Sequence, residues 1–549
     1  MNLLSIEGIK VKIAENKEII LILVLSIVIR LLFLNLPELR SRDEALYASA
    51  SRSFLQNPFK PILISNPIPG LENNQLFPHI FLTKPPLIFW LTAASYNIFG
   101  INEFAVRFVP AVFGVFSIII TYMLAEHIFN KKIALFSSLL LSICQFHIKY
   151  SRQGMLDVPL TFFVLLTLFL FLKGFNSESE SPVFFILAGI SQGLGILTKW
   201  HAALFPTFTI ILFILLLRKN QIIFSRNFAF YLLAVLLSIL PWLIYIYVSF
   251  PETARAVLLF EIAGRPFTEG PRGPFWFFSR LMWGLTPWGP IVLIAVIYSF
   301  WKRTSGDIYL LLIIGTTFIA YDISYAKLTH YILPIVPFLL ILTARFIYDI
   351  INFKEKIIIL LLISFVGSVV YVLLVGVFPT TVFGVEQIWF IPLISVVAVL
   401  YYGLVWFYIN KRLPAPSMRL LIILFVLPLF ISNLAFAGAD SYSDVASDDL
   451  GAKEIGQYIK LHSSEDDLVF CSDGIGWAIL FYSERSTYEY PIIPRETFED
   501  YILSQQVKFV VISEEFLSTT NYKVNFVLMN SVEVNIAGVS PSLHVYSII

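Results

Sequence analysis

Two adjacent carboxylates, Asp43 and Glu44, lie in the run Arg40-Ser41-Arg42-Asp43-Glu44-Ala45-Leu46-Tyr47, just past the first long apolar segment of a 549-residue chain. Neighbouring acids at a membrane face are expensive unless they are hydrated, paired or used. As chemistry, Asp43 fits a general base that takes the proton of an acceptor hydroxyl, with the second carboxylate orienting it. As structure, both acids suit the first turn of an interfacial helix, where Ser41 can cap and negative charge complements the helix dipole. The two readings are compatible.

Four further stretches carry groups of the same kind. In Thr83-Lys84-Pro85-Pro86, a lysine fixed by two prolines suits phosphate binding as a point charge, or else snorkels at a helix start. In the stretch 150–159, Asp157 stands at the entry to an apolar run close to Arg152. It is either a second catalytic acid lining the cavity of Asp43, with Arg152 against substrate, or half of a surface ion pair worth little. Arg265 and Arg272 can clamp a phosphate bidentately, while Trp276-Phe277-Phe278 suit the aromatic belt of the next span. Lys327-Leu328-Thr329-His330-Tyr331 opens a later run, with His330 and Tyr331 placed to meet a pyrophosphate, a sugar or a metal. A lone histidine is more often simply satisfied, so no metal is assigned and no cofactor is required, although a divalent ion is compatible. Acids and several cations beside lipid fit a substrate made of a phosphate, a sugar and a lipid tail. Cleavage of its sugar–phosphate bond needs a base for the acceptor and cations for the leaving phosphate.

The elements that must hold these groups are set by composition. Hydrophobic residues make up 58% of the chain and charged residues 14%, against roughly 25% charged in soluble domains. A chain this long and apolar uses lipid as solvent, and its runs have the length of spanning helices. A net charge of +1 gives no reason to expect a nucleic-acid partner. Cys144 and Cys471 are far apart and imply no disulfide framework. The first run is too long for a cleavable signal and reads as a signal anchor.

Thirteen spans are expected, at 19–36, 104–129, 133–146, 158–172, 183–197, 202–217, 228–250, 276–300, 309–323, 331–347, 357–378, 388–409 and 420–437. Helical spacing at 43–54 and a short apolar run at 85–99 read as interfacial or re-entrant helices of the first outer loop. Arg30 must snorkel or face the bundle. With the N-terminus in the cytoplasm, most inside loops are short and basic, and all five candidate stretches fall on the opposite face. The turn at 198–201, with Lys199, is the exception. Residues 1–437 thus form the membrane domain. In 438–549 the composition turns polar, and helix (452–461, 496–504) alternates with strand (468–471, 508–512), so a small extracytoplasmic α/β domain is expected.

Asp43-Glu44 after the first span, Lys84-Pro85-Pro86, the Arg152–Pro159 stretch, Asn102-Glu103-Phe104-Ala105-Val106-Arg107 and the Lys327–Pro334 stretch together resemble the GT-C glycosyltransferases. More narrowly, the chain is similar to the protein O-mannosyltransferase-like branch that includes the aminoarabinose lipid A transferases. The resemblance runs from about Arg30 to Pro334 and fades in the later spans. It implies a GT-C fold in the plasma membrane and a polyprenyl-phosphate sugar donor. It also implies transfer with inversion to a glycan, lipid or protein acceptor at the outer face. On this resemblance Asp43 matches the catalytic acid and Asp157 the second acidic position, while Lys84 and Tyr331 match residues near the lipid phosphate. Arg265 matches a phosphate-binding arginine loosely, and Glu44 is present as the pattern expects. The rivals are a polytopic transporter and a GT-C enzyme moving whole oligosaccharides. Transporters place their charges near the bilayer midplane, whereas here they gather at one interface.

Overall fold

The computed structural model describes residues 16–64, 79–176, 181–261, 276–285, 289–323, 327–352, 451–472, 474–490, 507–513, 531–533 and 543–548. In chain order its helices are α1 (Lys17–Leu31), α2 (Asp43–Gln56), α3 (Leu87–Phe99), α4 (Glu103–Ile128), α5 (Lys131–Ser142), α6 (Gln145–Ser151), α7 (Asp157–Phe175), α8 (Pro182–Lys199), α9 (Phe205–Leu216), α10 (Arg226–Ser249), α11 (Pro251–Leu259), α12 (Trp276–Gly284), α13 (Gly289–Lys302), α14 (Ser305–Ile323) and α15 (Val336–Asn352). A 3₁₀ turn, Thr329–Ile335, leads into α15.

Among the described residues five helical segments are long and apolar enough to cross a membrane: Glu103–Ile128, Asp157–Phe175, Pro182–Ala203, Arg226–Ser249 and Thr329–Asp349. Polar caps set several helix starts. Asn102 accepts from the Ala105 amide at 2.9 Å and Asn130 from that of Ile133 at 3.0 Å. Small residues permit a close approach between α8 and α10. A Cβ on Gly189 would lie 2.3 Å from the Tyr231 carbonyl oxygen, and one on Gly193 the same distance from the Ser238 Cβ.

Two expected spans are broken. The run at 133–146 divides into α5 and α6, bent by 59°, and the run at 276–300 divides into α12 and α13. The first break has a visible cause. Arg30, fully buried on α1, donates to the Ser142 carbonyl at 3.2 Å and the Leu141 carbonyl at 3.4 Å, which satisfies the open end of α5. In return Arg152, just past α6, donates to the carbonyls of Ile29 (2.9 Å) and Leu32 (2.7 Å) at the end of α1. Each arginine closes the other's neighbouring helix, so Arg30 faces the bundle. The expected spans at 357–378, 388–409 and 420–437 lie outside the described residues.

The C-terminal region carries α16 (Ala452–His462), β1 (Leu468–Ser472), α17 (Gly476–Ser483), β2 (Ser486–Tyr490), β3 (Val507–Ser513), β4 (Ser531–Glu533) and β5 (Leu543–Ile548). The sheet order is β2-β1-β3-β5-β4, with β1 parallel to both neighbours and β5 antiparallel to both of its own. The expected α/β domain is present, with α17, β2, β4 and β5 added. The helix expected at 496–504 lies outside the described residues.

This domain docks on the first loop. Lys453 Nζ pairs with Glu103 at 2.6 Å, the Tyr482 hydroxyl donates to Glu103 at 3.0 Å, and the Leu39 amide donates to that hydroxyl at 2.9 Å. Glu38 Oε2 accepts from the Lys453 amide at 3.0 Å. Burial and the neighbouring Glu454 carboxylate raise the Glu38 carboxyl to about 7, against the pull of the Lys453 amide. A raised acid stabilises the docked state fully below its unfolded value, and that contribution disappears as pH rises through about 7. The junction is therefore expected to loosen between about pH 5 and pH 8. Hydrogen exchange at Lys453 would read this as faster opening at the higher pH, and Glu38→Gln would flatten the dependence. A wild-type profile as flat as that of the variant would show that Glu38 does not control docking.

Candidate active site

The two adjacent acids separate completely in the fold. α2 begins at Asp43, and the helical turn points the two side chains in different directions. Glu44 is buried and fully engaged. Its Oε1 accepts from Arg107 Nε and the Gly154 amide, both at 2.8 Å, and its Oε2 accepts from Arg107 Nη2 at 3.1 Å and the Arg40 amide at 3.0 Å. Burial alone would raise this carboxyl, but the Arg107 guanidinium and the amide donors outweigh it and hold Glu44 below its usual range. Gly154 is required by the closeness of the approach: a Cβ there would lie 2.5 Å from Val106 Cγ1 and 3.2 Å from Glu44 Cγ. Asp43 is half-exposed and has no hydrogen bond or ion pair among the described residues.

Asp157 opens α7 and is buried. Its Oδ1 accepts from Lys199 Nζ at 2.7 Å, and its Oδ2 lies 3.9 Å from His330 Nε2 with no hydrogen-bond partner among the described residues. Lys199 also stands 4.5 Å from the centre of the Tyr331 ring, and His330 packs between Tyr150 and Tyr331 with ring centres at 5.5 and 4.9 Å. Lys199 ends α8. This explains the basic residue that broke the loop-charge pattern: its charge is buried against Asp157 and not presented to solvent.

Lys84 is buried, with Nζ 2.7 Å from Glu261 Oε1. The segment that carries it is tied to the Asp157 cluster, because Trp200 Nε1, one residue past Lys199, donates to the Thr83 carbonyl at 3.2 Å. The Asp43 helix is tied to the same cluster through Glu44 and Gly154, three residues before Asp157. Asp43, Lys84, Asp157, His330 and Tyr331 are thus joined by short struts. Arg152 is engaged with the end of α1, and Glu44 with Arg107. Both are residues expected against substrate, and their contacts named here are to the scaffold. Arg265 lies outside the described residues. Among the described residues no three metal-ligating side chains converge.

The residues missed from sequence are Glu261, Arg107 and Lys199. Each is the counter-charge of an expected residue, from 42 to 177 positions away in the chain. Arg107 and Lys199 had local signals, in the Asn102–Arg107 pattern and the anomalous turn. Glu261 had none beyond its place in the loop with Arg265.

The chain can now be set beside known proteins. Residues 83–245 match the family model described as dolichyl-phosphate-mannose-protein mannosyltransferase. Over 271 residues the chain is 32% identical to an uncharacterised protein of Aquifex aeolicus, covering 49% of this chain and 54% of that one. Over 371 residues it is 30% identical to the undecaprenyl phosphate-alpha-4-amino-4-deoxy-L-arabinose arabinosyl transferase of Wigglesworthia glossinidia brevipalpis, covering 65% and 63%. The chain therefore spans between half and two thirds of the length of these curated relatives. The structure resembles that of ArnT from Cupriavidus metallidurans bound to undecaprenyl phosphate, with a TM-score of 0.72, 18% identity and coverage of 97% and 98%. It also resembles the archaeal oligosaccharyltransferase AglB of Archaeoglobus fulgidus, with a TM-score of 0.59, 14% identity and coverage of 96% and 74%. The fold is the GT-C fold, in its ArnT-like form.

Proposed function

We infer that this chain, built on the GT-C fold, is an integral-membrane glycosyltransferase that moves a sugar from a polyprenyl-phosphate donor to an acceptor hydroxyl or phosphate. The observation that carries this reading is the division of labour between the two neighbouring acids. Glu44 is locked into the scaffold, which leaves Asp43 half-exposed and without a hydrogen bond or ion pair among the described residues, in a segment tied through Glu44 and Gly154 to the one that carries Asp157 and its lysine. A base with no competing partner and cations gathered nearby are what a single displacement at an anomeric carbon requires.

In this mechanism Asp43 takes the acceptor proton as the acceptor oxygen bonds to the anomeric carbon. The bond from that carbon to the phosphate oxygen breaks on the opposite face, and the configuration inverts. The electron pair leaves with polyprenyl phosphate, whose charge Lys84 and Lys199 balance. Asp157 and Glu261 hold those lysines when the donor is away, and His330 and Tyr331 line the phosphate side. Glu44 and Arg152 position the segments on either side of the site. No step is assigned to a metal. The donor chain enters sideways between helices, and the reaction lies at the outer face of a multi-pass plasma-membrane protein with a cytoplasmic N-terminus. The names of the relatives favour an undecaprenyl-linked donor, and a membrane glycan, lipid or protein supplies the acceptor.

Purified protein in lipid, given a panel of radiolabelled polyprenyl-phosphate sugars, is expected to release polyprenyl phosphate and transfer label in equal amounts. No turnover with any donor, together with substrate flux in proteoliposomes, would overturn the reading in favour of a transporter.

A further inference from the structure

The strand order of the C-terminal sheet contains a topological switch point, a place at which open α/β sheets often take a ligand. β1 lies between β2 and β3 and runs parallel to both; β2, which follows β1, lies on one side and β5 and β4, which follow β3, lie on the other, so the chain leaves β1 and β3 in opposite directions. Open α/β sheets take their ligands outside the carboxyl ends of the strands at such a switch point. Here that place is the turn from β1 into α17, and a piece of the membrane domain occupies it. The Ser41 hydroxyl donates to the Gly474 carbonyl and accepts from the Ala478 amide at 3.4 Å. Ser41 is buried there, two residues before Asp43.

The turn is shaped to receive it. Gly474 has φ = +88°, a conformation that glycine adopts at no steric cost. The buried Glu489 carboxylate on β2 accepts from the Gly474 amide at 2.5 Å and from the Gly476 amide at 3.2 Å, fixing both ends of the turn. The far end of α2 is held separately, where Arg52 donates to the Phe481 carbonyl at 2.8 Å and pairs with Glu484 at 3.2 Å.

We propose that the switch point of the C-terminal domain is an intramolecular receptor for the Asp43 loop, with Ser41 as the seated positioning residue and Glu489 shaping its seat. This rests on the reading of Asp43 as the base. Its consequence is that the C-terminal domain takes part in catalysis without touching substrate: it sets where the Asp43 carboxylate stands. Misplacing a reacting group by about 1 Å can lower a rate by up to about 100-fold.

The test compares variants of the full-length protein in lipid. It uses the donor that supports label transfer in the wild type, and undecaprenyl phosphate as the binding probe. Ser41→Ala removes the seat contact. Gly474→Ala strains the turn, although its Cβ meets nothing within 4 Å. Both are expected to lower kcat by about 10- to 100-fold with unchanged Kd for undecaprenyl phosphate and a thermal midpoint lowered no more than by Arg52→Met, since alanine at a positive φ and a lost buried hydrogen bond each cost some stability. Arg52→Met, which weakens docking away from Asp43, is expected to lower the thermal midpoint and leave kcat of the folded protein near wild type. The proposal is overturned if Ser41→Ala and Gly474→Ala keep the wild-type kcat, or if Arg52→Met lowers kcat as much as they do. Asp43→Asn separates the two levels. If it is inactive while the seat variants are not, this inference alone fails; if it turns over normally, the base assignment fails first.

Discussion

Asparagine at position 43 is expected to lower sugar transfer by about 10²- to 10⁴-fold, the range over which a positioned general base contributes, while polyprenyl phosphate binds as tightly as before. The amide keeps the size of the carboxylate and loses its ability to take a proton. Nothing else in the fold should change, because Asp43 has no hydrogen bond or ion pair among the described residues and is half-exposed. The neighbouring acid cannot substitute. Glu44 accepts four hydrogen bonds, and α2 directs it into the scaffold. Single-turnover transfer measured beside donor binding gives the two numbers. A variant that transfers at the wild-type rate would remove Asp43 from the chemistry and leave proton removal to another group.

Fold and site were unequally legible in the sequence. Spans such as α4 and α10 follow from length and hydropathy, because lipid leaves an isolated apolar segment little choice but a helix. The break between α5 and α6 does not, since it depends on Arg30 reaching across from a segment more than a hundred positions earlier. The strands β1 and β3 announce themselves as short apolar runs, whereas β4, at the end of the strand order, is too short to stand out. Asp43 and Glu44 look equivalent as neighbours in a sequence, and only their partners separate them. The same holds for Arg152, which reads as a substrate contact or as half of a surface ion pair with Asp157, and in the fold donates to the carbonyls at the end of α1. Residue type and local spacing locate charges near a site. Which charge is engaged and which is available is decided by contacts distant in sequence.

The largest effect on stability is expected at the strut that keeps Glu44 engaged. Arg107→Met removes the guanidinium and leaves the carboxylate buried with two backbone amides, and breaking a buried pair in this way costs about 3–5 kcal/mol. The sign of its pH dependence follows from the direction of the Glu44 shift. In the wild type the carboxyl is held low, so its contribution is present above the unfolded value, about 4.3, and is lost as pH falls through the folded value. In the variant only burial and the amides remain, and protonation relieves the buried charge. The gap between wild type and variant should therefore narrow on the acid side of about pH 4. Glu44→Gln added to Arg107→Met should recover part of the loss at neutral pH, because an amide is far cheaper to bury than an unpaired carboxylate. Thermal unfolding of the three proteins across pH tests both statements, and a constant gap with no recovery in the double variant would show that the pair adds nothing beyond packing. Recovery of stability without recovery of transfer would add a functional point. The four contacts on Glu44 would then be needed not only to keep α2 folded but to turn Asp43, one residue earlier, out of the scaffold and toward the acceptor.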